Sequence, residues 1–280
     1  MKGRASAPGS SGNLGPGFDV LALAVELRCT VTAEPASSWL IEQDGDTYEP
    51  DPDDLVRVAA AAMTDGAFRL EIENVIPRSK GLGSSAAVAV AAAAAAIRSR
   101  GGEPRARDLF ESVAEIEGHP DNAAASVYGG LVAAGQGVVR HLDVHPDLRV
   151  VVGIPPSSLP TPEARAALPA AVGLDVAARS LARVVFLVDG LRTADAETLA
   201  AARGDEPHEV HRDGLSPVTA QLMAAATRAG ALHAAWSGAG PAAIALALDP
   251  VCDAVQGAMI DVLDGQGDVR CLDRAEIGWT

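Results

Sequence analysis

Residues 77–97 read PRSKGLGSSAAVAVAAAAAAI, a basic glycine-serine turn that passes directly into twelve apolar residues, Ala86 to Ile97. A helix that crosses a bilayer needs about 20 such residues, so this run falls short of a membrane span and must be buried within the protein. Its side chains are almost all alanine or valine, small enough for neighbouring elements to pack close. The turn before it holds Gly81 and Gly83, which reach backbone angles closed to other residues and let the main chain approach a ligand. Ser84 and Ser85 fall at the expected helix N-cap. Unpaired amides at that terminus, with the helix dipole behind them, suit a polyphosphate. The same text also fits a glycine turn capping an alanine-rich core helix, and it lacks the Gly-Lys-Ser/Thr of a Walker loop.

Any anion must be held locally, because the 280-residue chain has a net charge of -15 and only two lysines, Lys2 and Lys80. That balance excludes nucleic acid as a partner, since backbone binding draws on clustered Lys and Arg. The length fits one large domain or two closely joined ones. The N-terminal MKGRASAPGS lacks the apolar stretch of a secretory signal, and Cys29, Cys252 and Cys271 are odd in number and widely spaced. Reduced packing cysteines in a cytoplasmic protein are the expectation.

Along the chain, a glycine-rich loop is expected to separate a short start from an alternating strand, Val20 to Val31. DDLVRVAAAAMTDG predicts a helix opening on Asp53 and closing at Gly66, and FRLEIENVIP a half-buried strand. Further helices are expected at 106–117, near Thr161, over 173–203 as one long region, and in LSPVTAQLMAAATRAG. Strands and helices mix without the regular alternation of a doubly wound sheet, which favours an α+β fold.

Two more glycine-rich loops reinforce the first. PGSSGNLGPGFD, Pro8 to Asp19, turns tightly and is bracketed by Asn13 and Asp19; SGAGPA, Ser237 to Ala242, sits between apolar runs. Three such loops in one chain suggest a shared ligand site. EGHPDN, Glu117 to Asn122, places polar groups at the end of an amphipathic helix. Glu111, two turns before His119, is expected to reach the same helix end as Ser85 and share a divalent cation with it, since magnesium takes hard oxygens plus substrate phosphates. Arg165 in TPEARAALP and Arg212 in HEVHRDGLSP lie beside proline-marked loops, and each offers a fork of donors suited to a carboxylate.

In this order, PGSSGNLGPGFD, PRSKGLGSSAA, EGHPDN, TPEARAALP and SGAGPA resemble the GHMP small-molecule kinases, and within them the members that phosphorylate L-homoserine. The resemblance implies a two-layer fold with a ribosomal S5-like N-terminal domain over 1–145 and a ferredoxin-like C-terminal domain over 146–280, with ATP and substrate between them. It implies that Lys80, Gly81, Leu82, Gly83, Ser84, Ser85 and Ala86 wrap the ATP phosphates and that Ser85 and Glu111 hold Mg2+. It carries the substrate pocket to Asn13, Asp19, His119, Asn122, Thr161, Arg165 and Arg212, with catalysis resting on Asn122, Arg165 and Arg212. Asp19 would take the substrate's ammonium, the two arginines its carboxylate and Asn122 its hydroxyl. Ser10 stands where mevalonate-type members have lysine, Asn122 where they have an aspartate base, and Asp54 where the family has asparagine near adenine. A homodimer is also implied. Two alternatives remain open: a related kinase for another small alcohol, and a nucleotide-binding relative without catalysis.

Overall fold

The computed structural model describes residues 1–280. Its first half builds a seven-stranded sheet from β1 (Gly3–Gly12), β2 (Leu21–Ala36), β3 (Leu40–Gln43), β4 (Asp46–Tyr48), β5 (Ala67–Asn74), β6 (Leu131–Gly135) and β7 (Val138–Leu142). The order is β4-β3-β5-β2-β6-β7, with β1 paired antiparallel to β2; only β3 and β5 run parallel. Along β5, Phe68, Leu70 and Ile72 are buried while Arg69 and Glu71 are exposed, so one face packs and the other meets solvent.

Four helices belong to this half: α1 (Leu55–Met63), α2 (Ser84–Ser99), α3 (Ala106–Glu117) and α4 (Pro120–Tyr128). The apolar run forms α2, and Ala89 to Ala96 are all fully buried. Small side chains are what permit this: α2 lies so close to β1 that a Cβ on Gly3 would overlap the Ala95 carbonyl.

The second half holds a four-stranded antiparallel sheet ordered β11-β8-β10-β9, from β8 (Leu148–Ile154), β9 (His233–Trp236), β10 (Ala243–Leu248) and β11 (Asp268–Leu272). With it come α5 (Thr161–Ala166), α6 (Leu174–Thr193), α7 (Ala196–Ala201), α8 (Glu209–Arg212), α9 (Pro217–Arg228) and α10 (Asp249–Leu263). Leu222 of α9 and Met259 of α10 press on the sheet at Gly153, where a Cβ would lie 2.7 Å from the Met259 methyl. The C-terminus returns to the first sheet: Thr280 and Ser6 exchange backbone hydrogen bonds, and Ala275 N–H donates to Ala24.

Three sequence expectations need correction. Part of the first glycine-rich loop is strand: β1 runs on to Gly12 and absorbs the glycines through a bulge between Pro8 and Gly9. The helical region 173–203 is broken, because Ala194 turns left-handed at φ 55° and Asp195 then caps α7 by accepting the Thr198 amide. The N-cap of α1 is Asp54, not Asp53; its carboxylate accepts the Val56 and Arg57 amides at 2.9 and 3.2 Å.

Candidate active site

The three glycine-rich loops meet. Gly238 N–H donates to Gly12 O at 2.9 Å, Ser10 N–H to Leu82 O at 3.0 Å, and Ala242 N–H to Lys80 O at 3.1 Å. Gly81 fits only because it has no side chain: its φ is +77°, and a Cβ would overlap Ser237 O and lie 2.7 Å from Gly240 N. Between the loops opens a cleft of about 380 Å³, lined by both sheets' loops.

One wall of the cleft is the start of α2. Its N-cap is Gly83, left-handed at φ 65° and without a capping side chain, so Ser84 and Ser85 fall inside the first turn rather than at the cap. The first-turn amides therefore have no side-chain acceptor and keep their affinity for an anion. Gly81, Leu82, Gly83, Ser84 and Ser85 line the cleft; Ala86 and Lys80 do not. Ala86 is fully buried. Lys80 turns away because its ammonium finds three carbonyls on the C-terminal half, Pro155, Pro156 and Ser157, and it braces that loop. Arg78, which sequence reasoning passed over, lines the cleft instead.

The opposite wall is ionic. Asp19 and Arg165 form a bidentate pair, Nη1 to Oδ2 at 3.1 Å and Nη2 to Oδ1 at 2.7 Å, and Arg165 Nε donates to His119 Nε2 at 3.0 Å. His119 acts here as an acceptor; burial and then the Arg165 charge hold it below the usual imidazole range. Arg212, 1% exposed, donates to Gly238 O and Ala164 O. Burial, then its neighbour Arg165, lowers it to about 10. Asn13 is a brace: its Nδ2 donates to Gly238 O and its Oδ1 accepts the Asp19 amide, which fixes Asp19 at φ 54°. Thr161, at the start of α5, completes the wall.

Asn122 sits between the two walls. Its Oδ1 accepts from Ser10 Oγ at 2.9 Å and its Nδ2 donates to Asp121 Oδ1 at 3.3 Å, which fixes the amide's orientation. Ser10 thus lies directly behind Asn122. Asp121 was not singled out from the sequence, although it stands inside HPDN. It is 1% exposed, does not line the cleft, and burial pushes its carboxyl up to about 7.

The Ser85–Glu111 pair is not formed. Glu111 is held by Arg107 at 2.7 Å on an exposed face of α3, while Ser85 Oγ donates to Glu117 Oε2 at 2.6 Å. The reason is helix geometry: Glu111 stands six residues before Glu117, about 9 Å back along the axis, and it is Glu117, the last residue of α3, that reaches the start of α2. Glu117 lines the cleft, and burial raises its carboxyl against the lowering effect of the Ser85 hydroxyl. A half-buried carboxylate beside a hydroxyl at a helix N-terminus is a hard-oxygen donor set that fits Mg2+. Asp54 also lines the cleft, and as a cap it does what asparagine would do equally well.

Fold and cleft together define a small-molecule kinase, and comparison with known proteins agrees. The family description "GHMP kinases N terminal domain" matches residues 54–130 and "GHMP kinases C terminal" matches 187–260, and the chain belongs to the GHMP kinases. It is 35% identical to a homoserine kinase of Synechococcus sp., over 95% of this chain and 92% of that one. It is 37% identical to a homoserine kinase of Thermus thermophilus, over 87% and 86% of the two chains. The crystal structure of homoserine kinase from Cytophaga hutchinsonii superposes with a TM-score of 0.89 at 26% identity, covering 100% of this chain and 96% of that one. No helix of this chain is long and apolar enough to cross a membrane.

Proposed function

We infer that this chain uses ATP to phosphorylate the side-chain hydroxyl of L-homoserine, giving ADP and O-phospho-L-homoserine. One observation carries the reading: a carboxylate and two guanidiniums suited to an amino-acid zwitterion share a cleft with the free N-terminus of α2, and Asn122 stands between them. The ATP phosphates lie on the first-turn amides of α2, with Arg78 beside them. Ser85 and Glu117 would hold Mg2+, which neutralises phosphate charge when bound. The substrate's ammonium goes to Asp19 and its carboxylate to Arg165 and Arg212.

The substrate oxygen attacks the γ-phosphorus as the bond to the β–γ bridging oxygen breaks. Asn122 orients that hydroxyl and takes no proton, since an amide is not a base at neutral pH. The proton leaves late, to the γ-phosphate or to water. Phosphoryl transfer of this loose kind asks for positioning and charge neutralisation, which is what the two walls supply. We carry the division into units 1–145 and 146–280 and a cytoplasmic location as parts of the same proposal. A homodimer belongs to it too; Leu174, Leu181 and Val185 stand exposed on α6, and sedimentation as a monomer at working concentrations would remove that part.

The test is a coupled ADP-release assay with Mg2+ across L-homoserine, L-serine, L-threonine and mevalonate. Turnover is expected on L-homoserine by a wide margin. Activity on mevalonate without activity on homoserine would overturn the substrate assignment.

A further inference from the structure

We infer that His208 is a positioning residue for the substrate: it aims the Arg212 guanidinium into the cleft and at the same time locks the turn that carries Asp19. The inference rests on the reading of Arg212 as a ligand of the substrate carboxylate.

His208 is fully buried and immediately precedes α8, so Arg212 lies four residues on, at the end of the same short helix. Arg212 Nη1 lies 3.2 Å from His208 Nδ1, and His208 Nε2 lies 2.8 Å from Gly15 O. A guanidinium can only donate and a carbonyl can only accept. Nδ1 must therefore carry the lone pair and Nε2 the proton, and one neutral tautomer satisfies both contacts. Asp205 does not compete for that proton, because its Oδ2 is 3.6 Å from Nε2 and instead accepts the His208 amide at 2.6 Å. Burial pushes His208 down to about 3, in keeping with a neutral ring.

The same imidazole supports an aromatic ring that lies against both arginines. Phe18 stacks on it with ring centroids 5.1 Å apart at 30°, and the Arg165 and Arg212 guanidiniums lie 5.6 and 5.7 Å from the centre of the Phe18 ring. Two like charges are thus gathered on one apolar plate, an arrangement favoured by the ring's negative face and completed by an anion.

Arg212 spends Nε on Ala164 O, and Nη1 on Gly238 O and His208, which leaves Nη2 without a protein partner. That nitrogen is not sealed off in the core, and Arg212 lines the cleft. A nearly buried cation with one unspent nitrogen, carrying two N–H groups, is a specific receptor for a carboxylate. His208 decides which nitrogen remains free.

Two variants separate the two contacts. His208→Gln keeps an amide N–H for Gly15 but loses the acceptor for Arg212; His208→Asn offers a carbonyl near the Nδ1 position but cannot reach Gly15. With His208→Gln, KM for L-homoserine is expected to rise about 10-fold or more while KM for ATP and kcat stay within about threefold, as for a misaimed ligand. His208→Asn should recover the part of that loss due to Arg212 and carry a part due to the unlocked Asp19 turn, so its KM for homoserine is expected between those of wild type and His208→Gln. Side-chain ¹⁵N NMR of the wild-type enzyme should show His208 as the Nε2–H tautomer at pH 7, a readout that stands even if a variant fails to fold. A protonated Nδ1, or an unchanged KM for homoserine in a folded His208→Gln, overturns the inference. Arg212→Met is the reference. If it raises KM for homoserine and His208→Gln does not, the positioning role falls and the substrate reading stands; if it leaves KM unchanged, both fall.

Discussion

Replacing Gly81 with alanine tests whether the phosphate turn is locked against the C-terminal half, and Gly137→Ala supplies the matched control. Both glycines have nearly the same positive φ, +77° and +73°, so both substitutions incur the same left-handed strain. That strain is about 1 kcal/mol, or a Tm loss of about 2–4 °C in a chain of this size. They differ in surroundings. A Cβ at Gly137, in the turn between β6 and β7, meets nothing within 4 Å, whereas one at Gly81 lies 2.7 Å from Gly240 N and overlaps Ser237 O outright, so relief takes a shift of more than about 1 Å. Both obstacles are backbone, which cannot rotate away, so one loop must shift against the other. A shift of this order across a reacting centre lowers kcat/KM by about 10²-fold. Gly81→Ala should therefore show that loss in the ADP-release assay, with a Tm drop at least twice that of Gly137→Ala, while Gly137→Ala keeps wild-type kinetics. If the two variants melt alike and both remain within twofold of wild-type activity, the interlocking of the loops does not position the site.

Other outcomes follow from the same geometry. Glu117→Gln should raise the Mg2+ concentration needed for half-maximal turnover by about tenfold or more, while Glu111→Ala leaves it unchanged; the reverse result would return the metal role to Glu111. Lys80→Met should lower Tm by a few degrees through loss of the carbonyls it ties down at 155–157 and leave KM for ATP within about threefold; a large rise in that KM would make Lys80 a phosphate ligand. Asp121 bears on pH. Its folded carboxyl is raised to about 7 by burial, so the fold binds this proton more tightly than the unfolded chain does. The stability it contributes is complete below the unfolded carboxylate range, declines as pH rises through about 4 to 7, and is flat above, a span of at most about 4 kcal/mol. Asp121→Asn should flatten this slope, raising Tm relative to wild type more at pH 8 than at pH 5; parallel Tm curves for the two proteins would contradict it.

What could be read from the sequence was what depends on short stretches. The small-residue run could only be a buried helix, and α2 is one. The three glycine-rich loops suggested one ligand site, and their backbones do hydrogen-bond to one another. That Ser85 meets Glu117 and not Glu111 could not be read, because counting residues along a helix gives the face a side chain occupies, not which end of the helix meets its neighbour. The partners of Lys80 were out of reach for a related reason: a cation beside a glycine turn looks like a phosphate ligand, and nothing local shows that the loop at 155–157 offers it three carbonyls from another part of the chain. Phe18 and His208 are separated by nearly two hundred residues, and neither carries a local sign that they stack under two arginines.

The pairing of Asp19 with Arg165 gives the pocket a means of choosing zwitterions. The pair is roughly one-third exposed, so solvent screens it and opening it costs little, within about 1 kcal/mol. On the proposed reading, an incoming amino acid would replace it by exchange: the ammonium would take Asp19, the carboxylate would take Arg165 and the unspent nitrogen of Arg212, and no charge would be left alone. A hydroxy acid without the amine would draw Arg165 away and strand the Asp19 carboxylate. An amino alcohol without the carboxylate would take Asp19 and strand the Arg165 guanidinium, while the unspent nitrogen of Arg212 would stay unmatched as in the free enzyme. A ligand seated in the cleft covers these groups, so a charge left unpaired beneath it loses solvent as well as partner, and that costs several times what the screened pair contributes. On this reading the closed pair of the free enzyme would be the discriminating element, and only a ligand able to satisfy both of its halves would present its hydroxyl to Asn122.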